Sequence, residues 1–148
     1  MKRLLFILVF ALAFVSCNRH SEHWNTLSNV ESYIVEHPDS ALIVLEQIDI
    51  SELSSKEERA KHALMLSMAL DKNYVDKTDF NVLQPAIDYY EDNGSATEKF
   101  QTYYLQGRIY QNQSNDTQAM IAYAQAKELL GGIDNHYLSG QLHTEIGN

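Results

Sequence analysis

An internal repeat constrains this chain more than any other feature. Shifting residues 97–113 by 33 positions aligns Tyr104 with Tyr137, Leu105 with Leu138, Gly107 with Gly140, Ile109 with Leu142 and the ring of Tyr110 with that of His143. Five matches in a single register seldom arise by chance, and a period of this length is typical of arrays of helix-turn-helix units. Each unit has an apolar face that it cannot bury alone, so units must stack on their neighbours. The expected fold is all-α, an α-α superhelix of antiparallel helix pairs.

Composition agrees with that expectation. Only two prolines and six glycines interrupt 148 residues, and alternating apolar-polar runs of strand length are missing. Seven helices are expected. Trp24, Leu27, Val30 and Ile34 space the first, which ends by His37, before Pro38. Asp39 or Ser40 caps the second, with Ala41, Leu42, Leu45 and Ile48 inward. Ser55 and Glu58 form the capping box of a third that runs to about Lys72. The fourth starts near Asn81, carries Pro85 in its first turn and stops at Asn93-Gly94. The fifth spans about Thr97 to Gln113, the sixth Asn115 to Leu130, and the seventh starts near Asn135.

At the fifth and sixth helices a family resemblance becomes specific. Gly107, Tyr110, Ala119, Tyr123 and Ala126 match the spacing of the small and aromatic signature positions of the tetratricopeptide repeat, and the region resembles a divergent copy of it. Gln106, Ser114 and Gly131 depart from the pattern. The small residues let two helices approach closely while Tyr110 and Tyr123 fill the wedge between pairs. The resemblance implies that Tyr103 packs inside and Tyr104 projects into a groove lined by first helices. In such repeats that groove holds an extended peptide or a partner helix. The matching positions are Gln101, Tyr104, Arg108, Gln111 and Asn112, followed one repeat on by Tyr137, Gln141 and Glu145. Arg108 there would offer its planar fork to a ligand carboxylate.

The N-terminus sets the expected compartment. Lys2 and Arg3 precede an apolar run from Leu4 to Val15, and the chain turns polar after Cys17, which is the anatomy of a secretory signal. The run is too short for a permanent membrane helix. Phe14-Val15-Ser16-Cys17 resembles the lipobox of bacterial lipoproteins, and Cys17 is the only cysteine, without a disulfide partner in the chain. Residues 1–16 are therefore expected to be the signal peptide, 17–23 a tether lipidated at Cys17, and 24–148 the repeat domain. Cleavage removes Lys2 and Arg3 and takes the formal charge from −9 to −11. That surface repels nucleic acid and anionic headgroups, which leaves the lipid as the membrane contact. The whole arrangement resembles Gram-negative tetratricopeptide-repeat lipoproteins. It implies a protein anchored on the periplasmic side of the cell envelope that binds or scaffolds a protein or peptide. The alternative is the sensory ectodomain of a longer membrane-spanning transcriptional regulator. By repeat register the array is expected to be cut short after the seventh helix, leaving Leu138, Leu142 and Ile146 partly uncovered.

Signals for chemistry are weak. His20, His23, His37, His62, His136 and His143 form no metal-ligand motif, and His143 is expected to pack as Tyr110 does. Adjacent carboxylates such as Glu57-Glu58 and Glu91-Asp92 point about 100° apart on a helix and are expected in solvent. No nucleophile elbow, phosphate loop or dinucleotide fingerprint occurs. No catalytic residue, metal, cofactor or small-molecule substrate is expected.

Overall fold

The computed structural model describes residues 22–147, so the signal segment, Cys17 and most of the tether lie outside the described residues. Seven α-helices follow in order: α1 Glu22–Tyr33, α2 Pro38–Glu46, α3 Lys56–Lys72, α4 Gln84–Asn93, α5 Ala96–Asn112, α6 Asp116–Leu129 and α7 His136–Ile146. Short 3-10 turns lie at Ile50–Glu52 and Leu130–Gly132. No strand occurs among the described residues. None of their helices is long and apolar enough to cross a membrane.

Helix ends follow local chemistry, with two departures from expectation. α2 begins at Pro38 itself, and no side chain caps it. Proline has no N–H to satisfy and its fixed φ suits a first turn, so neither Asp39 nor Ser40 is needed as the cap. At α3, Ser55 Oγ accepts the Glu58 N–H at 3.0 Å, but the Glu58 carboxylate reaches back to Ser54 instead, accepting its N–H at 2.8 Å. The complete box lies at α5, where Ser95 Oγ accepts from Glu98 N–H and Glu98 accepts from Ser95 N–H at 2.8 Å. Pro85 falls in the first turn of α4, which Leu83 precedes.

Each helix packs on the next, and α3 also packs on α1 and on α5. Two apolar centres result. Leu27, Val30 and Ile34 of α1 meet Ala41 and Leu45 of α2 and Met65 and Ala69 of α3. The larger centre joins α3 to α7 through Leu64, Leu83, Phe100, Leu105, Ile109, Tyr123, Leu138 and Leu142. Gly107 is where α5 and α6 come closest: a Cβ on residue 107 would lie 2.2 Å from Tyr123 Cε1. Ala119 and Ala126 are buried on either side of that ring.

The starts of α3, α5 and α7 repeat at 40 residues rather than at the 33 of the sequence self-match. N-caps fall at Ser55, Ser95 and Asn135. α3 and α5 also end alike, on left-handed residues Tyr74 (φ 60°) and Ser114 (φ 58°). In each, a 6→1 bond closes the last turn, Val75 N–H to Leu70 C=O at 3.0 Å and Asn115 N–H to Tyr110 C=O at 2.8 Å. The two periods differ by seven residues, close to two turns of 3.6, so both place the same residues on the same helix face and differ only in height along the axis.

Candidate functional site

Side by side, α1, α3 and α5 form one face, and α7 extends it. Two clefts open there. The first, of about 70 Å³, has apolar walls from Ile34, Val35, Leu64 and Met68 and a polar rim from Glu31, Lys61, Glu98 and Gln101. A second, of about 10 Å³, is bounded by Met68, Lys72, Gln101, Tyr104 and Gln141. Met68 and Gln101 therefore belong to both.

Ion pairs tie the helices of this face together. Lys61 of α3 is buried, bonds Glu31 of α1 and sits 5.1 Å from the centre of the Trp24 ring. Arg108 of α5 donates from Nε to Asp71 of α3 at 2.8 Å and from Nη1 to Glu145 of α7 at 3.3 Å. Its Nη1 also reaches Gln111 Oε1 at 3.1 Å, and that oxygen accepts from the Tyr123 hydroxyl at 2.9 Å. Burial opposes the Arg108 charge, but the hydrogen bond to Asp71 and the charges of Asp71 and Glu145 outweigh it and raise the guanidinium pKa. Burial, with the charge of Asp71 next, pushes the Tyr104 phenol up, and burial with the charges of Glu98, Glu31 and Glu57 does the same to Tyr90. The face thus holds paired ions and thioether or aliphatic walls over buried, protonated phenols.

The expected groove residues divide. Gln101, Tyr104 and Gln141 do converge, on the second cleft. Tyr104, however, is only 5% exposed, stacked on Phe100 at 6.4 Å and tilted against Tyr123 at 6.0 Å. Tyr103 is the half-buried one. The inward ring is therefore Tyr104, one turn after Phe100 and against Tyr123 of α6, while Tyr103 lies beside Ile87 and Tyr90 of α4 and Gln125 of α6. Arg108 is not free for a ligand carboxylate, because Asp71 and Glu145 already hold it. Gln111 serves that same cluster, and the Asn112 amide donates to the Lys77 carbonyl at 3.1 Å. Tyr137 is 42% exposed, and its ring lies beneath the Lys72 ammonium at 4.9 Å.

Other expectations are corrected as well. Leu138 and Leu142, expected to be partly uncovered, are 3% and 0% exposed, buried in the larger apolar centre where α7 packs on α6. His143 is exposed rather than packed. Glu58, expected in solvent, is buried by its hydrogen bonds to Ser54. The sequence analysis did not single out Lys61, Met68 or Glu98; Lys61 has its partner Glu31 thirty residues away, and the cleft brings Met68 and Glu98 beside it from α3 and α5. Among the described residues no group of three or more His, Cys, Asp or Glu side chains is placed to hold a metal ion. No family model, no curated protein and no solved structure matches this chain.

Proposed function

We propose that this chain is a lipid-anchored lipoprotein of the cell envelope whose helical domain, of the tetratricopeptide type, binds or scaffolds a protein or peptide and performs no catalysis. One observation carries the reading: successive first helices α1, α3 and α5 stand side by side and share a face with an apolar cleft rimmed by carboxylates, an amine and an amide. A cleft with apolar walls and a few polar groups at its rim holds a side chain of an extended segment and fixes its direction. The contact surface in this reading centres on Val35, Met68, Gln101 and Gln141, with Tyr137 at its edge. Arg108 and Tyr104 hold the face in shape rather than touching the ligand. Anchoring would come from Cys17, with two or more acyl chains at about 0.8 kcal/mol per buried methylene.

Two experiments test the two halves. Wild type should incorporate radioactive fatty acid and sediment with membranes, and Cys17→Ala should do neither; a wholly soluble wild type removes the anchor. A photo-crosslinking side chain placed at Gln101 in cells should give a discrete adduct, while the same group at exposed Met120 on α6 should not. Equal labelling from both positions rejects the face.

A further inference from the structure

Ser67 of α3 is a buried polar side chain whose needs the protein itself does not meet. It is 7% exposed, and among the described residues its hydroxyl is the one buried side-chain oxygen or nitrogen with no hydrogen-bond partner within the protein. Its helix neighbours Leu64, Met65 and Leu70 are buried apolar residues. Alanine at this position would favour the helix and leave no hydroxyl stripped of water, so a serine here calls for a partner.

Ser67 borders a cavity of about 20 Å³ between α3, α5 and the loop that joins α3 to α4. Two side-chain amides at the end of α5 hold that loop in place, Asn112 donating to the Lys77 carbonyl at 3.1 Å and Gln113 to the Thr78 carbonyl at 2.8 Å. Asp71, one turn after Ser67, lines the same cavity with Arg108 and with Lys77 and Asp79 from the loop. Two carboxylates face two cations, so the formal charge of the wall is zero. An ion of either sign would bring an uncompensated charge into this space, whereas a neutral occupant brings none. A water needs roughly 10–15 Å³ and two to four polar partners, so the space suits one water. Apolar cavities of such size stay dry, but this one has polar groups on both its helix and its loop side. Asp71 meets Arg108 through Oδ1, and a carboxylate accepts at both oxygens, so Oδ2 can accept as well.

We propose that this cavity is the binding site of a single ordered water, which accepts from the Ser67 hydroxyl and donates to the Asp71 carboxylate and to the wall that the loop supplies. Asp71 also holds Arg108 and bounds the second cleft. The water is therefore part of what fixes the cluster of Asp71, Arg108 and Glu145, and it ties the loop to α3 where no direct bond from Ser67 does.

Two measurements test this, and one of them turns on a sign. Oxygen-17 relaxation dispersion of the solvent counts long-lived protein-bound waters; wild type should hold one more than Ser67→Val, whose added methyl takes up the space. Thermal unfolding of Ser67→Ala should show a melting temperature lower by about 3–5 °C, because the water loses a partner. A hydroxyl without any partner predicts the reverse, since its deletion removes a desolvated polar group and raises the melting temperature. A rise for Ser67→Ala would therefore overturn the proposal. So would equal water counts in wild type and Ser67→Val, which would mean that the hydroxyl bonds back to its own helix. A count that falls when rubidium chloride or potassium bromide is added would overturn it as well, because an ion would then own the site.

Discussion

At the 33-residue shift α5 and α7 carry like residues on matching faces, and they lead different lives. Toward the core they behave alike: Leu105 and Ile109 on α5 and Leu138 and Leu142 on α7 are all buried. Toward the following helix they part. Tyr104 and Gly107 are covered by α6, while Tyr137 and Gly140 face outward. A repeat therefore specifies which residues share a face, but burial of that face is a property of the neighbour. Substitutions at matched positions should then give effects that differ in size, and in one case in sign.

The largest contrast is between the rings. Tyr123 is 1% exposed and wedged against Gly107, so Tyr123→Ala should cost about 3–5 kcal/mol in urea unfolding. Gly107→Ala presses a methyl into the same ring and should cost about 1–3 kcal/mol. Tyr137→Ala removes an exposed ring and should stay within about 0.5 kcal/mol. Similar losses for Tyr123→Ala and Tyr137→Ala would mean that α7 is covered as fully as α5.

The second effect concerns the bridge that joins the two helices. Arg108→Ala leaves Asp71 and Glu145, both largely out of solvent, facing one another without their cation. Removing one member of a fully buried pair costs about 3–5 kcal/mol; solvent reaches this cluster in part, so about 2 kcal/mol is expected. Hydrogen exchange should show α7 losing protection before α5 does, since Glu145 is its polar tie to that cluster. An Arg108→Ala variant with unchanged stability and unchanged α7 protection would return the guanidinium to the pool of ligand-binding groups.

Much of this architecture was legible in the sequence, and the reasons for the misses are physical. Inward residues such as Leu27, Val30, Ala41 and Leu45 follow from 3.6-residue periodicity alone. The Gly107, Ala119, Tyr123 and Ala126 contact follows from spacing, because small and large residues at those intervals can only interlock. The Ser95 and Glu98 box is equally plain in the chain, a serine followed three residues on by a glutamate. Tyr103 and Tyr104 could not be told apart, because neighbouring helical residues lie 100° apart and either ring can face a neighbour whose position is unknown. Nor could Asp71, Arg108 and Glu145 be joined: successive members are separated by 37 residues, and each sits about one turn nearer its helix start than the one before. The self-match at 33 residues was right about faces and two turns off in height.

A smaller effect belongs to the other apolar centre, where His62 of α3 lies buried with Nε2 at 2.9 Å from the Leu45 carbonyl. Burial lowers its pKa below the usual 6.5, and the bond to the Leu45 carbonyl offsets this only in part. The unfolded chain then takes up a proton near pH 6.5 that the folded chain refuses. The His62 contribution is present in full above that pH and is lost as pH falls toward the folded pKa. Urea unfolding should give lower stability at pH 5.5 than at 7.5, and His62→Gln should flatten that part of the difference. An unchanged pH slope in the variant would show that His62 titrates alike in both states.

The smallest effect is also the sharpest test of the comparison, because its sign differs from that at the matched position. Gly140 stands inside α7 with open space where a Cβ would go. Alanine there meets no atom within 4 Å, restricts the unfolded chain and removes the helix penalty of glycine, so Gly140→Ala should stabilise by about 0.5–1 kcal/mol. The gain should appear as slower exchange within α7 and leave α5 and α6 untouched. Gly107→Ala, a change of the same two residue types on the same face, should go the other way because Tyr123 lies across it. A loss at both positions would mean that something already packs against α7 in solution, and a gain at both would mean that the Tyr123 ring moves aside at little cost and that the α5 and α6 contact is looser than its 2.2 Å closeness implies.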